Sequence, residues 1–318
     1  MREDRLPTGA PVLSHSSRFS KEDTAIDVIL AQLPGQLLDG FIRGLVYVAI
    51  ALGLTIVFGM LRLVNFAHGA FYAIGAYVGL VVAEKAGLGA GLIAAPLAVA
   101  LFAILFDRIL LRLFYDKEPT SQILVTFGVA IVVEETLRLV FGGTTRTFPV
   151  PAALAGSFNL GFTQYPTYRL LFAAGIVLLV VLVYLFIERT DYGLIVRAGI
   201  RDRTMVQLLG GNVRLASTII FALGASLAGL VGAAASPIYS VDPNTGFSFL
   251  IPSFVVVVIG GLGSFWGAVL GGLIVGELQS VTTLILPAAS DVIIYVAMAL
   301  VLLVRPSGLL GENEVIRG

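Results

Sequence analysis

Cysteine is absent from the 318-residue chain. Disulfides, Cys-ligated zinc, iron–sulfur clusters and thiol catalysis are therefore excluded. Charge is scarce: only 13% of residues are Asp, Glu, Lys or Arg, about half the share of an ordinary soluble domain. The 20 basic and 20 acidic residues cancel, so no broad basic face for nucleic acid is expected. His15 and His68 are the two histidines. They are too far apart for an H-E-x-x-H pair, and no metal centre is expected. No G-x-x-x-x-G-K-[ST] stretch occurs, so the chain has no P-loop for ATP. "GGLGSFWG" (260–267) lacks G-x-G-x-x-G spacing and no βαβ unit surrounds it. No catalytic constellation emerges. The expectation is a non-enzyme that binds no cofactor of its own.

What the chain has in excess is apolar sequence: 58% of it is hydrophobic and its mean hydropathy is +0.97. Several uncharged runs reach the ~18 residues that mark a membrane span. The runs fall at about 37–59, 66–83, 88–106, 121–140, 168–187, 215–236, 248–263, 267–286 and 291–305. The pattern predicts an all-α, polytopic membrane bundle of eight or nine transmembrane helices. The run 248–263 is the weakest. It contains Pro252 and ends in glycines, and ~15 residues at about 1.5 Å each fall short of a ~30 Å core. A tilted short span, a broken helix and a re-entrant segment all fit it.

Residues 1–36 are polar and lack a signal-peptide h-region. They read as a tail, in which "TAIDVILAQL" (24–33) has the pattern of a short interfacial helix. Residues 37–311 form the membrane domain, and 312–318 a C-terminal tail. If the spans alternate, Arg62, Arg108, Arg112, Lys117, Arg189, Arg197, Arg201, Arg203, Arg214, Arg305 and Arg317 share one side. The other side has Lys85, Arg138, Arg146 and Arg169. The positive-inside rule puts the first group, and the C-terminus, in the cytoplasm. Arg2, Arg5, Arg18 and Lys21 in the tail, with Arg43 nearby, count the other way.

Small residues recur every four positions. Gly263, Gly267 and Gly271 form one ladder, and Ala268, Gly272 and Gly276 a second. Ala225, Gly229 and Ala233 form a third, and Ala228, Gly232 and Ser236 a fourth. Such ladders let backbones approach closely where lipid removes the hydrophobic drive between helices. Two ladders on one helix predict two close neighbours.

Intramembrane charge is limited. Glu134 and Glu135 can pair with Arg138 at i+4 and i+3, and Glu277 stands in the 267–286 run. Ion pairing and a pathway role both fit these acids. In "LVNFAHGAFYAIGAY" (63–77), Asn65 has the character of an N-cap for the second span. His68, Phe71 and Tyr72 follow on that helix, where packing and path-lining are both open.

The segment 188–214, "ERTDYGLIVRAGIRDRTMVQLLGGNVR", is too long for a turn in such a bundle. Asp202 can cap a short helix from Arg203 to Leu209, which Gly210–Gly211 would stop. Met205, Leu208 and Leu209 fall on one side of it, Arg203 and Gln207 on another. Such a helix suits a groove on a soluble partner; lying on the bilayer is the alternative.

"GLTIVFGMLRLVNFAHGAFYAIGAY" (53–77), "RTDYGLIVRAGIRDRTMVQLLGGNV" (189–213), "VVVVIGGLGSFWGAVLGGLIVG" (255–276) and "LVRPSGLLG" (303–311) together resemble the LivH-type permease subunits of branched-chain amino acid ABC importers. The resemblance runs from about residue 37 to 311 and leaves the N-terminal tail out. It implies a bacterial inner-membrane path formed with a second permease. It also implies two cytoplasmic ATPase subunits that use ATP and Mg, and a substrate-binding protein. It casts the 188–214 segment as the ATPase-coupling element, with Arg197, Arg201, Asp202, Arg203, Met205, Gln207, Leu208, Leu209 and Gly210 as its contacts. Related permeases carry urea or short amides, which leaves that substrate class open. A passive channel or ion-coupled transporter would want more midplane charge. With Asn65, His68, Phe71, Tyr72, Glu134, Glu135 and Glu277 as the path candidates, Arg138 is the one evident cation for a substrate carboxylate. Selectivity is therefore expected mainly in the binding protein.

Overall fold

The computed structural model describes residues 21–115, 117–148, 150–161, 163–201 and 203–311. The first 20 residues of the expected 1–36 tail, the expected tail at 312–318, and the capping role of Asp202 lie outside the described residues. The helices are α1 (Lys21–Leu61), α2 (His68–Ala86), α3 (Leu88–Ile109), α4 (Pro119–Phe141), α5 (Thr167–Arg189), α6 (Asp191–Arg201), α7 (Arg203–Leu208), α8 (Val213–Ala235), α9 (Thr245–Gly260), α10 (Phe265–Ile285) and α11 (Ile293–Val304). Leaving out α6 and α7, these coincide with the apolar runs. By length and composition α1, α3, α5, α8 and α10 can each cross a membrane, and α9 and α11 are shorter apolar helices. This is a multi-pass membrane protein.

Local chemistry sets several boundaries. The Asn212 side chain accepts from the Leu215 N–H at 3.0 Å and starts α8. The Ser264 hydroxyl accepts from the Gly267 N–H at 3.1 Å and starts α10. Pro119 opens α4, where its missing N–H has no helical partner to lose.

Several features depart from expectation. Five described helices are long and apolar enough to span, against the eight or nine expected. Residues 21–36 do not form a separate interfacial helix; they are the opening turns of α1, which runs 41 residues through Pro34. At about 1.5 Å per residue that is roughly 60 Å, twice a hydrocarbon core. The otherwise helical chain also carries a small hairpin. β1 (Ser157–Asn159) pairs antiparallel with β2 (Gln164–Pro166), in the register Ser157↔Pro166 and Asn159↔Gln164.

Helix α1 is the core: Leu45–Leu52 are all buried on it. Helices α8, α9 and α10 pack around it, and α2 lies between α3, α8 and α9. The two ladders of α10 face two neighbours. A Cβ on Gly271 would stand 2.8 Å from the Val256 carbonyl of α9, while one on Gly272 would stand 2.9 Å from the Val48 nitrogen of α1. On α8, Gly229 faces Val99 of α3, and Gly232 faces Tyr72 and Ala76 of α2. Gly267 abuts Gly260 across the α9–α10 hairpin. Gly263 is different. It is in the turn before α10 with φ +82°, so it is a turn glycine and not a rung of the ladder.

The helix ends alternate between two faces. On one face, the Tyr165 hydroxyl donates to Asp39 at 2.6 Å and Arg169 pairs with the same carboxylate. Burial holds that phenol above its usual range. Arg146 and Val241 exchange backbone hydrogen bonds there, and the Gln36 amide donates to the Ser280 carbonyl. The opposite face holds α6, α7 and the C-terminal turn, whose Leu309 and Leu310 N–H groups donate to Ile259 and Gly260.

Candidate functional site

The segment between α5 and α8 is a packed unit of two helices. On α6, Gly193, Val196 and Gly199 are buried. Gly193 lies against the Phe186 and Ile187 carbonyls, Gly199 against Met60, and Ile200 against Gly59. Arg197 pairs with Glu188. Next in the chain, α7 is held by Val206, which joins Val213, Ala216 and Ile220 in a buried cluster. Gly210, at φ +84°, ends the helix: its N–H donates to Gln207, and the Gly211 N–H donates to Val206. This left-handed stop satisfies carbonyls that a helix end otherwise leaves open. Leu208 is 78% exposed and Leu209 80%; Met205, Gln207 and Gly210 are exposed beside them. The backbones of Arg201 and Arg203 belong to α6 and α7.

Sequence reasoning placed no helix at α6, which contains Gly193 and Gly199. They are contact positions, spaced with Val196 at i, i+3, i+6. That spacing was the available signal.

At the start of α2, Asn65 is not the N-cap. The cap is Ala67, which has no side chain to offer. Asn65 is two positions earlier: its Oδ1 accepts from the Ala67 N–H at 3.0 Å and its carbonyl from the His68 N–H at 3.3 Å. His68 is fully buried beside the Ile50 backbone, and neither ring nitrogen completes a hydrogen bond within the protein. It sits where α1 and α8 cross at Gly53 and Gly224. Phe71 is enclosed by Phe102, Phe106 and Phe221, so it is core and does not line an open path in this conformation. Tyr72 meets Phe249 at a centroid distance of 4.8 Å.

Tyr47 and Tyr239 also pack on Phe249, which makes an aromatic cluster below the hairpin-bearing face. Above it is a polar chain. The Tyr47 hydroxyl donates to Gln279 at 2.7 Å, and the Gln279 amide to Asp291 at 3.0 Å. Arg43 lies within electrostatic reach of Tyr239. Arg43 is thus a second cation inside the bundle; in the sequence it read only as a charge beside the tail. The acidic candidates do not converge on this cluster. Arg138 pairs with Glu134 at 3.0 Å and Glu135 at 3.8 Å, and reaches Asn244 at 2.9 Å, so α4 is tied to the start of α9. Glu277 borders Gly40 at the α1–α10 seam, with one carboxylate oxygen unpartnered within the protein. Among the described residues no three His, Asp or Glu side chains could hold a metal.

Sequence reading also passed over Asp107. It is fully buried, accepts from Thr218 at 2.7 Å and from Tyr115, and Thr218 in turn accepts from Arg112 at 3.3 Å. Asp107→Ala would strand these donors at a cost of about 1–3 kcal/mol. The variant is expected to melt several degrees lower in detergent, with Asp107→Asn between it and the native protein. Identical melting curves for Asp107→Ala and the native chain would refute this.

Residues 36–302 match the family model for the branched-chain amino acid transport system, permease component. The chain belongs to this permease family. LivH of Salmonella typhimurium is 29% identical over 297 residues, spanning 88% of this permease and 96% of LivH. BraD of Pseudomonas aeruginosa has the same identity and coverage. LivM of Escherichia coli is 27% identical over 262 residues, spanning 72% of this permease and 60% of LivM. The permease is a membrane component of a transport system and not an enzyme. The α6–α7 unit and the Phe249 cluster both lie within the matched residues, and the opening turns of α1 lie before them.

Proposed function

We propose that this permease forms half of the translocation path of an ATP-driven importer for branched-chain or related neutral amino acids. The other half is a second, related permease. Two separate ATPase subunits use ATP and Mg, and a binding protein delivers the substrate. In this reading the protein sits in a bacterial inner membrane, with α6, α7 and the C-terminus in the cytoplasm. The excess of basic residues on that face supports the orientation.

The observation that carries the reading is the exposed Leu208–Leu209 tip of α7, held to the bundle through Val206 and stopped at Gly210. A short apolar tip on a rigid stem suits the groove of a soluble subunit. Similarity to both LivH and LivM supports a paired permease. Arg43 and Asp291, both within electrostatic reach of Tyr47, put one charge of each sign near the tyrosine cluster.

The test is uptake in cells that make this permease with its partner subunits. Leucine should enter and urea should not. When a compatible binding protein of different specificity is supplied, the substrate range should follow the binding protein. If the original range persists whichever binding protein is present, selection lies in the membrane and this division of labour is wrong.

A further inference from the structure

On the face that carries α6 and α7, a groove of about 350 Å³ runs between α3, α5 and α8. Ala100 and Ile104 of α3, Phe186 of α5 and Ala222 of α8 line its length, and Arg108 and Thr218 stand at its outer end. We propose that this groove holds one acyl chain of an anionic phospholipid, with the lipid phosphate at Arg108.

A whole helix does not fit within the groove and could seat only the side chains of one face there, whereas a single acyl chain can lie inside it. Along α8 the groove extends from Leu215 to Ser226, roughly 16 Å, and a helix about 10 Å across would fill about 1,200 Å³ of that length. The groove holds about 710 Å³ even with its open mouth. A single file of methylenes fits this slot.

Charge selects the headgroup. Arg108 is exposed, and among the described residues it makes no ion pair. Arg112 reaches Thr218 with one guanidinium nitrogen, while its Nε is buried without a hydrogen-bond partner. Among the described acids near this end, Asp107 is turned inward to Thr218 and Tyr115, and Glu188 is paired with Arg197. Arg214 is one turn from Thr218, its carbonyl oxygen 3.2 Å from the Thr218 hydroxyl oxygen. The mouth therefore keeps net positive charge at headgroup depth. In a bilayer the apolar walls alone discriminate little, because lipid tails are as apolar as the groove. Preference must come from the cations, at roughly fivefold per arginine. The bound lipid would touch Phe186, close to where α5 leads into α6.

The full-length permease, incorporated in nanodiscs of equal phosphatidylglycerol and phosphatidylcholine, is extracted in mild detergent. Native mass spectrometry then counts the retained lipids. The native chain should keep phosphatidylglycerol over phosphatidylcholine by fivefold or more. Arg108→Gln, a change at an exposed position, should lower that ratio about fivefold with an unchanged melting curve. Ala100→Phe should fill the groove and lower retention of both lipids. Equal retention of the two lipids by the native chain overturns the proposal, and so does an unchanged preference in Arg108→Gln. If Ala100→Phe leaves lipid retention intact but disrupts pairing with the second permease, the groove is a protein interface and the lipid assignment is wrong.

Discussion

Gly276→Leu is expected to abolish recovery of folded permease. A Cβ at this position would fall on the backbone of Gly44 and the carbonyl of Gly40. Backbone cannot rotate aside as a side chain does, so α10 and α1 would have to separate. Overpacking in forgiving cores costs about 1–3 kcal/mol, and this seam offers no side chain to yield. Separation would also disturb the hydrogen bonds of Gln36 with Ser280 and of Tyr47 with Gln279, which tie the same two helices. Gly267→Leu should behave similarly, since Gly260 faces it across the α9–α10 hairpin. The control is Gly175→Leu in α5: it is exposed and its added Cβ would meet nothing within 4 Å. Size-exclusion profiles and melting curves should show Gly276→Leu aggregated or absent and Gly175→Leu native. A monodisperse, active Gly276→Leu protein would mean that α1 and α10 are not in backbone contact.

Apolar run length reveals the membrane helices in the sequence, because a span must satisfy its backbone internally and shed its charge. The small-residue ladders likewise show that α8 and α10 have close neighbours. Gly263 misleads because its four-residue spacing continues past the helix into a turn, where it serves backbone conformation instead. The length of α1 is hidden because the helical pattern at 24–33 is separated from the apolar run by Pro34 and Gly35 and reads as a separate helix; extending a helix already nucleated by a stable span costs little. At the candidate sites, residue type alone misdirects. For Phe71 and His68, which left packing and path-lining both open, the structure shows side chains filling a crossing of three helices. Arg43 looks like a tail charge but reaches Tyr239, because the glycines at 40 and 44 bring α10 close on one side of α1 while Arg43 takes another. Asp107 is one charge in a basic loop until α8 brings Thr218 to it. Pairings between residues 60 to 240 positions apart leave no local mark.

Changing both Leu208 and Leu209 to Asp should abolish transport while the permease still inserts and folds. The two side chains are 78% and 80% exposed, so neither supports the bundle, and melting in detergent should match the native protein. If α7 docks in an ATPase groove, the same positions become buried on assembly. Burying an unpaired carboxylate there costs several kcal/mol, and about 1.4 kcal/mol is already tenfold in binding. Binding-protein-stimulated ATP hydrolysis in reconstituted transporter should therefore fall at least tenfold, with the ATPases lost from the purified complex. Val206→Asp separates stem from tip. Val206 is buried among Val213, Ala216 and Ile220, so its variant should lower the melting temperature as well as the coupled hydrolysis. Transport loss with normal stability at 208–209, against loss with lowered stability at 206, is the pattern that docking through the tip requires. Normal stimulated hydrolysis in the Leu208→Asp, Leu209→Asp protein would show that α7 is not the ATPase contact.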